Sequence, residues 1–146
     1  MKKEDAPVVV EQTFDVSGER LWRAITQIDD MRQWYFEDIP AFEPDVGFST
    51  QFNVTAGTRD FPHVWTVTES VPGKRIAYDW RYDGYVGDSF VVFELFEENG
   101  STTLRLTHTV SESFSEDVPE FTRENGLAGW NYFIKESLKS YLDENG

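Results

Sequence analysis

The run SFVVFELFEENGSTTLRLTHTV, Ser89 to Val110, commits the chain to an antiparallel sheet more firmly than any other stretch. Apolar and polar residues alternate on either side of Asn99-Gly100, the period of a half-buried strand, and Asn-Gly is the dipeptide best suited to a two-residue hairpin turn. The same period recurs upstream. Phe48, Thr50 and Phe52 share one strand face, His63, Trp65 and Val67 a second, and Ile76, Tyr78, Trp80 and Tyr82 a third. Pro72-Gly73 and Asp83-Gly84 mark turns around these segments. Near the start, Val8, Val10, Phe14 and Val16 add one more alternating strand.

Helical spacing interrupts the alternation twice. Ser17 offers an N-cap ahead of Leu21, Ile25 and Ile28, so Ser17 to Ile28 reads as an amphipathic helix. Asp29 is placed to cap a second short helix carrying Met31, Trp34 and Tyr35. At the far end Asp117-Val-Pro-Glu120 has a capping-box arrangement, which predicts the start of a long helix at Asp117. Leu127, Trp130, Ile134, Leu138 and Tyr141 then form one stripe at spacings of three and four, with Lys135, Glu136, Lys139 and Asp143 opposite. The order is strand, two helices, about six strands and one long helix, in one domain over residues 7–144.

Charge and composition narrow the function classes. Twenty-seven acidic residues against 13 basic ones give a net charge of -14, and the basic residues are scattered. Nucleic acid and anionic membrane surfaces both require a positive face, so neither is an expected partner. The absence of cysteine removes disulfides, thiolate metal sites and cysteine nucleophiles. MKKEDAPVVV carries neither an export signal nor a membrane span, and the expectation is a cytoplasmic protein without membrane insertion. Gly-x-Ser-x-Gly, phosphate-binding glycine patterns and HExxH do not occur, so the reading leans away from catalysis. Neither histidine has the neighbours of a metal site, and no cofactor is expected. Aromatic residues reach 16%, which favours a core or pocket built from rings.

Four pieces in order, ERLWRAITQIDDMRQWYF, VPGKRIAYDW, SFVVFEL with TTLRLTHT, and GWNYFIKESLKSYL, resemble the helix-grip proteins of the SRPBCC, or START-like, superfamily. More narrowly they resemble the branch named for the C-terminal domain of the activator of the 90-kDa heat-shock-protein ATPase. The likeness runs from about Val8 to Leu142. It implies an α+β, helix-grip (START/Bet v-like) fold: a curved antiparallel sheet wrapped around a long C-terminal helix, with two short helices after the first strand. It also implies a pocket between sheet and helix that in many relatives holds an apolar small molecule.

Strands arranged as in that family turn Leu104, Leu106 and His108 inward, with Tyr78, Trp80, Val91, Phe93, Leu95, Phe52 and Trp65. The implied ligand-binding set is Phe52, His63, Trp65, Tyr78, Trp80, Phe93, Leu106, His108, Trp130 and Ile134, with no catalytic or metal residue. His63 and His108 are the polar candidates on these apolar faces, either as ligand contacts or as core residues satisfied by neighbours. Alternation turns Asp79 away from Tyr78, and Glu94 and Asp88 read as outward or loop charges. Gly126 and Gly129 weaken the closing helix by about 1 kcal/mol each relative to alanine. They either leave room at the pocket mouth under a lid-like Trp130 or mark a kink. A pocket of about 300 Å³ or more is expected to hold water, a ligand or inward-collapsed rings, because an empty apolar one would be too costly.

Three roles follow from the resemblance. The first is binding of a small hydrophobic molecule by a monomer or homodimer. The second is a polyketide cyclase or aromatase using the same cavity, with His108 as general acid or base and His63, Tyr78 and Tyr82 as further candidates. The third is a chaperone partner, disfavoured because the eukaryotic activators carry an additional N-terminal domain.

Overall fold

The computed structural model describes residues 1–146. Strand β1 (Val8–Phe14) leads into helices α1 (Gly18–Thr26) and α2 (Ile28–Trp34). Strands β2 (Ser49–Ala56), β3 (Arg59–Val71), β4 (Arg75–Tyr82), β5 (Asp88–Glu98) and β6 (Ser101–Glu112) follow as a meander. Five strands, not six, therefore come after the helices. The closing helix runs through α3 (Arg123–Asn131), a π-helical segment (Tyr132–Ser137) and α4 (Leu138–Asn145). All six strands form one antiparallel sheet in the order β1-β6-β5-β4-β3-β2, so β1 closes beside the last strand. This is the helix-grip arrangement. No helix is long and apolar enough to cross a membrane.

The Asn99-Gly100 turn sets the register. Both residues have positive φ, 54° and 84°, as a two-residue hairpin of matching twist requires. Glu98 then pairs with Ser101, and counting back brings Leu95 opposite Leu104, Phe93 opposite Leu106 and Val91 opposite His108. Neighbouring strands extend these pairs into rows across the inner face. One row runs Thr50, Trp65, Trp80, Ser89, and the next Val67, Tyr78, Val91, His108, Val8. Irregularities at Val67/Glu69 and Asp88/Ser89 increase the local twist.

Helix α1 starts as its sequence predicts, with Ser17 Oγ accepting from the Arg20 N–H at 3.1 Å. The Gly18 N–H donates to Glu97 Oε2 at 3.0 Å, which ties that end to β5. Asp29 does not cap α2. Only the extended Gln27 separates the two helices, so α2 restarts at Ile28 and Asp29 falls in its first turn, where its charge still suits the positive end of the helix.

The closing helix does not begin at Asp117 either. Pro119–Phe121 form a short 3₁₀ turn, and Phe121 is drawn into a small cluster with Phe61 and Phe114. The chain must then turn again, and Thr122 provides a new cap by accepting from the Asn125 N–H at 3.2 Å. Beyond it Trp130, Ile134, Leu138 and Leu142 are buried at a constant spacing of four. That spacing drifts around an α-helix of 3.6 residues per turn. The wider π turn at Tyr132–Ser137 takes up the drift. Leu142 is accordingly the deep residue of the last turn, and Tyr141, expected in the stripe, is half-buried and hydrogen-bonded to Asp30.

Candidate functional site

Rings from both layers nearly fill the space between sheet and helix. What remains is a cleft of about 170 Å³, open to solvent on one side. Trp80 and Tyr82 of β4, Phe36 from the segment after α2, Phe121, and Trp130 and Phe133 of the closing helix form its walls, and His63 of β3 and His108 of β6 contribute the inner polar groups. Met1, Glu120, Asn125, Gly126 and Gly129 also line it. A Cβ added at Gly129 would meet nothing within 4 Å, whereas one at Gly126 would lie 3.1 Å from the Met1 sulfur. Gly129 thus leaves room at the cleft, and the helical irregularity lies three residues beyond it, at Tyr132, rather than at either glycine.

Both nitrogens of His108 are committed. The Trp130 indole N–H donates to its Nδ1 at 3.0 Å. The hydrogen is therefore on Nε2, which donates to Ser89 Oγ at 2.8 Å, and the Ser89 hydroxyl in turn donates to the Trp80 carbonyl at 2.7 Å. Each group in this chain has one hydrogen to give and one acceptor waiting. Burial pushes the His108 pKa down to about 4. A proton on Nδ1 would also confront the Trp130 N–H.

His63 has the opposite tautomer. Its Nδ1–H donates to the Phe61 carbonyl at 2.7 Å, leaving the Nε2 lone pair without a protein partner. The ring is stacked on Phe52 with centroids 5.0 Å apart, and Phe36, Trp80 and Tyr82 enclose it. Burial pushes this pKa to about 4 as well, so the imidazole is neutral. Tyr82 is pushed up to about 12 by burial, partly offset by the nearby Trp80. The Trp80 N–H nevertheless has no hydrogen bond of acceptable geometry and is shut off from solvent.

Of the ten residues expected at the pocket, His63, Trp80, His108 and Trp130 meet at the cleft. Phe52, Trp65, Tyr78, Phe93, Leu106 and Ile134 lie behind it in the core, each at most 6% exposed. Tyr78 is sealed there against Tyr35, their hydroxyls 2.9 Å apart, and burial raises both pKa values. Phe36, Phe121 and Phe133 were not legible as lining residues. They sit outside the strands and off the helical stripe, so no periodicity marks them. Away from the cleft, burial and the neighbouring Asp88 carboxylate raise the Asp79 pKa to about 7. Glu94 is paired with Arg75 at 2.8 Å. No three His, Cys, Asp or Glu side chains converge to hold a metal ion.

Residues 15–143 match the profile of the family described as "Activator of Hsp90 ATPase homolog 1-like protein". No curated protein sequence matches the chain. Among solved structures it is similar to protein MLL2253 from Mesorhizobium loti, with 27% identity, TM-score 0.75, and 97% of this chain and 99% of that one covered. The Aha1 dimer from Colwellia psychrerythraea is 21% identical with TM-score 0.72, over 94% and 96% of the two chains. DynU16, a protein of the dynemicin biosynthetic locus, is 22% identical with TM-score 0.77, over 97% of this chain but 48% of its own.

Proposed function

This chain belongs to the activator of Hsp90 ATPase homolog 1-like family of the SRPBCC superfamily, and on that premise we propose that it binds a small hydrophobic ligand in the cleft beneath α3. The observation that carries the reading is an aromatic-walled space kept open at Gly129. Aromatic walls with a few fixed polar groups are how ligand pockets combine affinity with orientation. A cyclase using His108 as general acid or base has less support, since that role would break its bond to Trp130 or to Ser89.

Tryptophans at the cleft make binding observable by intrinsic fluorescence. A panel of neutral apolar compounds titrated into the protein is expected to quench or shift the emission saturably. Trp80→Leu keeps an apolar side chain but removes a ring from the wall, and should weaken binding about tenfold, near 1.4 kcal/mol. Unchanged affinity in Trp80→Leu would place the bound compound elsewhere and overturn the proposal.

A further inference from the structure

Two inner polar atoms of the cleft have no hydrogen-bond partner in the protein: the Tyr82 hydroxyl, which can donate or accept, and His63 Nε2, which can only accept. His108 is saturated on both nitrogens, and the Trp80 N–H is closed to solvent. His63 is different, because its Nδ1–H is fixed on the Phe61 carbonyl and Nε2 must present a lone pair. The ring is 5% exposed and packed among four aromatic side chains, so it has little freedom to turn that lone pair elsewhere. Size supplies a second restriction. A cavity of about 150 Å³ suffices for benzene, and this one measures about 170 Å³. One ring with a small substituent fits within the walls, whereas a fused polycycle would leave part of its surface projecting from the open side.

Taking the ligand-binding reading as its basis, we propose that the cleft selects a neutral one-ring aromatic that carries a hydrogen-bond donor, a phenol-type ligand whose hydroxyl donates to His63 Nε2. Charge is disfavoured on both sides. A carboxylate has no hydrogen to offer His63 Nε2 and would face its lone pair, and the one cationic group at the cleft, the Met1 ammonium, is already bonded to the Phe121 carbonyl. An ammonium group would lose its hydration without a free counter-charge, because Glu120, at the cleft, is held by Arg59 through both carboxylate oxygens at 2.8 and 3.1 Å. The neutral state of His63 persists through the physiological range, since burial keeps its pKa near 4.

Phenol and toluene are nearly the same shape and differ in the donor, which makes their affinity ratio the measurement. Wild-type protein and His63→Phe are titrated with phenol, toluene, benzoate and benzylamine by fluorescence and calorimetry. The expected result is that His63→Phe shifts the phenol-to-toluene ratio about three- to tenfold against phenol while toluene still binds, and that benzoate and benzylamine bind wild type weakly or not at all. An unchanged ratio, or benzoate binding as well as phenol, overturns the inference and leaves the hydrophobic-ligand reading standing. If larger apolar compounds bind and no one-ring compound does, the size argument is wrong. If nothing binds, the underlying reading itself fails. Should His63→Phe not fold, long-range ¹H–¹⁵N spectra of wild type decide the matter. Phenol should move the Nε2 resonance of His63 and toluene should not, and equal shifts count against the proposal.

Discussion

Ser89→Ala is the sharpest test of the hydrogen-bonded chain that runs from Trp130 through His108. Ser89 is fully buried, and its hydroxyl both accepts from His108 Nε2–H and donates to the Trp80 carbonyl. Alanine fills nearly the same volume, so packing loss is small and the cost is one of hydrogen bonding. A stranded buried donor costs about 1–3 kcal/mol and the second lost bond about 1 kcal/mol, giving roughly 2–4 kcal/mol in all. His108 has no escape by exchanging tautomers, because Nδ1 must stay bare to receive the Trp130 N–H. At roughly 3 °C per kcal/mol for a chain of this size, the melting temperature should fall by about 6–12 °C. Urea unfolding should show a lower midpoint at unchanged m-value. In a His108→Phe background Ser89→Ala has no imidazole donor to strand, so it should cost only about 1 kcal/mol there, and the non-additivity is the signature of the chain. A single-mutant effect below about 0.5 kcal/mol, or the same cost in both backgrounds, would refute the assignment of hydrogens along it.

Acid should destabilise the fold earlier than its carboxylates alone would require. Both histidines are held at about 4 in the folded protein against 6.5 unfolded, so the unfolded state takes up more protons between these values. Each contributes roughly 3 kcal/mol of stability that is complete above pH 6.5 and lost as pH falls toward 4. Asp79, raised to about 7, acts in the opposite sense over that range, but it is one group against two. Melting curves from pH 7 to 4.5 should therefore fall steadily, and a flat profile would contradict the buried neutral state. Gly129→Ala should raise stability by about 0.5–1 kcal/mol, since the helix gains propensity and the new methyl meets nothing. No gain in a thermal melt would show that the space at Gly129 is not free.

Much of the fold was legible because it rests on local rules. The Asn99-Gly100 hairpin, the alternating faces of β3 to β6 and the Ser17 cap each follow from a few adjacent residues. The misreadings arose where distant packing overrode a local signal. Asp117-Val-Pro-Glu120 is a good helix start, but the pull of Phe121 into the Phe61 and Phe114 cluster moves the true start past Thr122. At the cleft, strand alternation identified an inward face without saying how deep each residue lies on it. That depth depends on the helix and on Phe36 and Phe133 crossing above the sheet, so Tyr78 and Trp65 became core while Trp80 and His63 reached the opening. The partner of His108 was invisible for a related reason. Ser89 comes beside it only once β4, β5 and β6 are in register.

The π turn in the closing helix makes its two halves tolerate length changes differently. Trp130 and Phe133, which shape the cleft, lie just before it and in its first turn, and Leu138 and Leu142, which anchor the helix in the core, lie after it. Because the wide turn carries one residue more than an α-helix needs, deleting one from Tyr132–Ser137 would restore a regular α-helix and leave Leu138 and Leu142 at nearly the same phase. A second deletion has no wide turn left to absorb it, and would rotate everything downstream by about 100° and bring Asp143 to where Leu142 now sits. Inserting a residue beyond Leu142 disturbs neither half. Descendants of this chain are thus free to gain or lose residues at the tail, while the six-residue segment can give up a single residue and no more before the core loses its anchor.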